Sequence, residues 1–126
     1  MTTLTFRSWR DGTYIPLAEI LLVLGPLILK LKWRLEIEEA APESSAEALY
    51  EIPSSSLLAC LDLVHLVTPD IQIIDGKIFG YDASGRSTLS IGAIRGDDWD
   101  IETNDAEILR VVARAYPEAK DIELLG

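Results

Sequence analysis

The stretch "LILKLKWRLEIEE", Leu27 to Glu39, decides the fold class. Side chains two residues apart in an extended chain share a face. Leu29, Leu31, Trp33, Leu35 and Ile37 therefore fall on one side, and Lys30, Lys32, Arg34, Glu36 and Glu38 on the other. This is the pattern of a half-buried strand. Five apolar residues on one face need a layer to cover them. The polar face changes sign midway, so the question is whether it meets water, a neighbouring strand or another molecule.

Upstream, "TLTFRSW" alternates as a strand and "RDGTY" supplies a turn. "PLAEILLVLG" reads as a short helix, with Pro16 suited to its start and Gly25-Pro26 ending it. Downstream, residues 40–56, "AAPESSAEALYEIPSSS", read as a surface loop with one helical turn around Ala46 to Tyr50. "SSSLLACLDLVHLVTPD" predicts a helix over 57–67, capped by a serine and ended at Pro69. Only Asp62 and His65 are polar in it, which predicts cover on nearly all sides.

"DIQIIDGKIFGYD" places Asp75-Gly76 between two apolar runs, a signal for a tight hairpin. "STLSIGAIR" and "WDIET" add strands, and "TNDAEILRVVARAY" a final helix with acids in its first turn. Ile108, Val111, Val112 and Ala115 form its inner face, and "KDIELLG" is a potential edge strand. The order of elements predicts one α+β domain over 1–126. Its core is a single, mostly antiparallel sheet of five to six strands with about three helices packed on it.

Composition narrows the function classes. The net charge is −10, and it is uneven: residues 1–35 carry +3 and residues 36–126 carry −13. Such a field repels phosphate, which argues against nucleic acid and anionic membranes as partners and favours a basic protein. One cysteine, Cys60, forms no internal disulfide, and "MTTLTFRSWRDG" lacks a secretory pattern, so a cytoplasmic protein is expected. No glycine-rich phosphate loop is present. One His and one Cys cannot make a zinc tetrad, so no metal or other cofactor is expected.

Two base-free acidic patches are the candidate partner-binding sites. The first holds Asp97, Asp98, Asp100 and Glu102; the second runs from Glu36, Glu38 and Glu39 to Glu43, Glu47 and Glu51, with the last three beside Tyr50 as the expected contacts. Tyrosine is enriched at binding hot spots. If the strands at 30–34 and 98–102 are neighbours, Lys30, Lys32 and Arg34 would instead neutralise the first patch across the sheet. Asp62 and His65, three apart on a helix, share a face with Ser55 and resemble a base with its orienting carboxylate. The function expected first is a small acidic protein-binding module, such as an immunity protein, antitoxin or adaptor, that binds a basic protein, for instance a toxin. The alternatives are a small enzyme or ligand binder centred on Asp62 and His65, and a homodimeric scaffold joined through helix 57–67.

Overall fold

The computed structural model describes residues 1–68 and 71–122. Nine strands and four helices follow in chain order. They are β1 (Thr2–Arg7), β2 (Trp9–Arg10), β3 (Thr13–Tyr14), α1 (Leu17–Leu24), β4 (Lys32–Ala41) and α2 (Glu43–Tyr50). Then come β5 (Leu58–Ala59), α3 (Cys60–Val67), β6 (Gln72–Tyr81), β7 (Ser87–Ile94), β8 (Asp98–Thr103), α4 (Ala106–Ala115) and β9 (Lys120–Asp121). Seven strands form one antiparallel sheet in the order β5-β4-β6-β7-β8-β1-β9, and β2 and β3 form a small separate hairpin. This is the α+β architecture that the element order predicts.

Alternation dictates which face is buried. Leu35, Ile78, Ile91, Ile101 and Leu4 lie in register across five strands. Trp33, Leu89, Trp99 and Phe6 belong to the same face and are buried. Ile20 and Leu24 of α1, Ala46 and Leu49 of α2, Leu63 and Val67 of α3, and Ile108 and Val112 of α4 complete one core. All four helices therefore cover that face. Trp99 Nε1 donates to the Ile15 carbonyl at 2.9 Å, and Tyr116 stacks on Phe6 at 4.3 Å, tying the helical layer to the sheet. At α4, the Asp105 side chain caps the Glu107 and Ile108 amides.

The decisive strand begins later than its alternation suggests. Gly25–Leu27 forms a 3₁₀ turn, and β4 runs from Lys32 to Ala41, so Leu29 is 58% exposed rather than part of the buried row. The Gly25-Pro26 break is followed by one more tight turn before the chain can extend. The expected surface loop at 40–56 holds a two-turn helix, α2, whose Ala46 and Leu49 are three apart and face the core. The apolar positions are few, and the serines and glutamates around them conceal the helical period.

Asp75-Gly76 is not a hairpin turn: both residues lie inside the continuous strand β6. A two-residue turn of the favoured type needs φ > 0 at both central positions. Gly76 is selected by crowding instead. A Cβ there would sit 3.0 Å from the Glu36 carbonyl oxygen and the Ile37 Cα, beside an irregularity in the β4–β6 register. The tight turns with two positive φ values fall at Asp11-Gly12 and Arg95-Gly96. The latter joins β7 to β8, with the Asp97 amide bonded to the Ile94 carbonyl.

Helix 57–67 is likewise shorter than predicted. Leu58–Ala59 pairs with the start of β4, and α3 begins at Cys60. It is not covered on nearly all sides, since Leu61 is 66% exposed. The expected stop at Pro69 lies outside the described residues. At the tail, Lys120–Asp121 pairs with β1 as an edge strand, and residues 123–126 lie outside the described residues.

Candidate functional site: the open face of the sheet

Residues that alternate with the core rows point away from the helices. Glu36, Lys77, Gly92, Asp100 and Thr5 lie in register across the outer face, next to the Leu35–Ile78–Ile91–Ile101–Leu4 row of the core. One rung along lie Arg34, Phe79, Ser90, Glu102 and Thr3. In the other direction lie Ile94, Asp98 and Arg7. Chain direction thus sorts the charges. Lys32 and Arg34 mark one end on β4, with Glu102 on the Arg34 rung across the sheet, and Glu36, Glu38, Asp98 and Asp100 mark the other.

The expected neutralisation of one ladder by the other does not occur. Strands β6 and β7 separate β4 from β8, so Lys30, Lys32 and Arg34 do not face Asp98, Asp100 and Glu102. Arg34 turns to its own neighbourhood. Its Nε donates to the Tyr81 hydroxyl at 3.0 Å, its Nη1 to Glu36 at 2.5 Å, and its guanidinium carbon lies 4.3 Å from the Phe79 ring centre. The hydrogen bond to Tyr81, then that to Glu36, holds the Arg34 pKa above its ordinary value.

At the acidic end, Glu36, Glu38, Asp75, Lys77, Gly92 and Asp100 line a notch of about 290 Å³. Gly92 opens it by lacking a side chain, and the Lys77 stem crosses above, with its Cε 3.4 Å from where a Cβ would stand. Asp75 accepts the Arg95 amide at 3.0 Å, which fixes the turn beside the notch. Asp100 Oδ1 is buried and accepts no hydrogen bond. A buried carboxylate oxygen without a donor is costly, by roughly 1–3 kcal/mol or more. Among the described residues, no cation lies within 4.0 Å of Glu38, Asp75 or Asp100.

Asp98, Asp100 and Glu102 project from the open face, and Asp97 is exposed in the β7–β8 turn. Glu102 accepts the Thr3 hydroxyl at 3.4 Å. Arg7 approaches Asp98 at 3.7 Å, but both are solvated, and an exposed pair of this kind contributes little.

The second patch occupies a different layer. Glu43 and Glu47 on α2 and Glu51 at its C-cap recur every four residues, and none has a cationic partner among the described residues. Like charges at that spacing cost a helix a few tenths of a kcal/mol per pair. Tyr50 is 46% exposed, yet its hydroxyl is fixed by the Ala40 amide at 2.9 Å. Glu43, Ser44, Glu47 and Tyr50 line their own depression on the helix. Because α2 packs its other side into the core, this stripe and the acids of β8 do not share one depression.

Asp62 and His65 are exposed on α3 and make no hydrogen bond or ion pair with each other. Ser55 lies away from them, in a recess with Lys32 and Arg34. Cys60 is buried, and burial pushes its thiol pKa up, so it stays protonated. Among the described residues, no group of three or more His, Cys, Asp or Glu is arranged to hold a metal ion.

Sequence reasoning missed Lys77 and Gly92, which shape the notch, and grouped Glu36 and Glu38 with the glutamates of residues 43–51, whereas they line the notch with Asp100. Only the strand order brings β4 and β8 residues into one notch, and no local pattern carries that order. No family model, curated protein or solved structure matches this chain.

Proposed function

We propose that the protein is a small acidic protein-binding module, an inhibitor or adaptor of the immunity or antitoxin kind, acting on a basic protein partner in the cytoplasm. The observation that carries this reading is Asp100 Oδ1, buried in the open-face notch with no donor and with Glu38 uncompensated nearby. A lysine or arginine side chain from a partner supplies both the missing donor and the missing charge. Its alkyl stem would lie along Gly92 and Ile94, and its head would meet the carboxylates. Asp97, Asp98 and Glu102 surround this point and steer the approach of a cationic surface. The stripe of Glu43, Glu47 and Glu51, with Tyr50 as a held aromatic, offers a second contact on α2.

The net charge of −10 supports the same reading, because electrostatic steering raises association rates by roughly ten- to a thousand-fold. The test uses two baits in parallel, the wild-type chain and the Asp98→Asn, Asp100→Asn, Glu102→Gln variant, each presented to extract of the source cell. The expected result is a basic protein held by the wild type, released by salt and lost from the variant. Equal retention by both baits would rule out the open face as the contact.

A further inference from the structure

We propose that the recess at the cationic end of the open face binds a single carboxylate carried on an apolar body. It lies between the start of β4, the end of β6 and the segment before β5, and it is lined by Lys32, Arg34, Ser55, Leu57, Tyr81 and Asp82. Its volume, about 510 Å³, is larger than that of the acidic notch and falls within the span of about 300–1,000 Å³ common to small-molecule sites. It shares no lining residue with the notch, and Glu36 of the notch touches it only through its pairing with Arg34.

The first support is a preorganised cation. Arg34 is anchored through Nε by Tyr81 and through Nη1 by Glu36, and its guanidinium lies over Phe79, which leaves Nη2 without a partner among the described residues. A guanidinium held flat in this way loses little freedom when it grips a carboxylate. Lys32, two residues along the same strand face, is exposed and has no carboxylate within 4.0 Å among the described residues. These two cations stand close together in a chain whose net charge is −10.

The second support is how the one acid in the recess is engaged. Asp82 Oδ1 accepts the Ser84 amide and hydroxyl and the Arg86 amide, so it is committed to its own turn. These bonds, led by the Ser84 hydroxyl, hold its carboxyl below the usual range, and it keeps its charge. Glu36 offsets Arg34 and Asp82 is committed to its own turn, which leaves Lys32 as the one cation of the recess with no carboxylate within 4.0 Å among the described residues. That matches a monoanion better than a phosphate dianion. The third support is the wall: Leu57, 54% exposed, lines the recess together with Tyr81 and Ser55.

The carboxylate could belong to a free acid or to the C-terminus of a peptide, and the experiment separates them. Binding of 3-phenylpropionate and of its neutral amide is followed by ligand-observed NMR, alongside acetylated tetrapeptides ending in phenylalanine with a free or an amidated terminus. The expected result is saturable binding of the acid below about 10 mM, with the amide weaker by about ten-fold, the usual effect of one charged hydrogen bond. Arg34→Gln and the exposed, structurally neutral Lys32→Gln should each weaken the acid by a similar factor. A free-terminus peptide that binds at least as well as the small acid identifies a chain end as the source; a small acid that binds alone identifies a metabolite-sized ligand. Equal binding of acid and amide, insensitivity to Lys32→Gln in a folded variant, or no saturation by any probe overturns the proposal.

Discussion

The two faces of one sheet are built from alternate residues of the same strands, and they obey different rules. The core row Leu35–Ile78–Ile91–Ile101–Leu4 is aliphatic throughout, and each member is set by what packs on it. The row beside it, Glu36–Lys77–Gly92–Asp100–Thr5, mixes acids, a base, a glycine and a hydroxyl. Burial explains the first row completely. Burial does not explain the second, in which Glu36 pairs with Arg34 and Asp100 leaves an oxygen buried without a donor.

The sharpest way to break this contrast is to truncate on each side. Trp99→Ala should cost about 3–5 kcal/mol in urea denaturation, from cavity formation and from the orphaned Ile15 carbonyl. Asp100→Asn, one residue along, should cost nothing measurable or be mildly stabilising, since it replaces a half-buried carboxylate whose Oδ1 has no donor. A large loss in Asp100→Asn would show that the open face is structural.

Alkaline titration probes the core face alone. Burial, followed by the hydrogen bond to Glu19, raises the Tyr116 phenol well above its usual value, and burial pushes Tyr14 to about 12. Raised folded-state values mean that the stabilisation is complete below the unfolded tyrosine value near 10. It is then lost as pH climbs through the folded values, because the unfolded chain releases these protons first. The fall is at most about 1.4 kcal/mol per pH unit for each phenol, and less for Tyr14, part of whose ring meets water. Melting curves between pH 9 and 12 should show it in wild type and in the open-face triple variant alike, and Tyr116→Phe should flatten it.

Glycines give a subtler pair. A Cβ at Gly80 would meet Leu31 Cδ1 at 3.0 Å and the Trp33 ring at 3.1 Å, so Gly80→Ala should cost about 1–3 kcal/mol by overpacking. At Gly92 the nearest atom is the flexible end of Lys77 at 3.4 Å, so Gly92→Ala should shift thermal stability by no more than about 0.5 kcal/mol while narrowing the notch. The smallest effect expected is on the stability of the Asp98→Asn, Asp100→Asn, Glu102→Gln variant, within about 0.5 kcal/mol of wild type.

The sequence was most legible where one period dominates. Alternation in β4 and β8 and the helical spacing of Ile108, Val111, Val112 and Ala115 in α4 announce both their elements and their buried faces. It misleads where one residue type serves two purposes. Gly76 reads as a turn glycine, but it relieves a close approach between β4 and β6. In α2, only Ala46 and Leu49 are buried, too few to show a helical stripe among glutamates and serines. The candidate site was half visible: its acids stand out in composition, but the gathering of Glu36, Glu38 and Asp100 depends on strand order, a long-range outcome of packing.

The account rests on the open face being an electrostatic contact for a cationic protein. The most direct measurement is the association rate between this protein and its captured partner as a function of ionic strength, for wild type and for the triple variant. We predict a steep fall with salt for wild type, and a slower, much flatter dependence once Asp98, Asp100 and Glu102 are neutralised. Superimposable salt curves for the two proteins would contradict it.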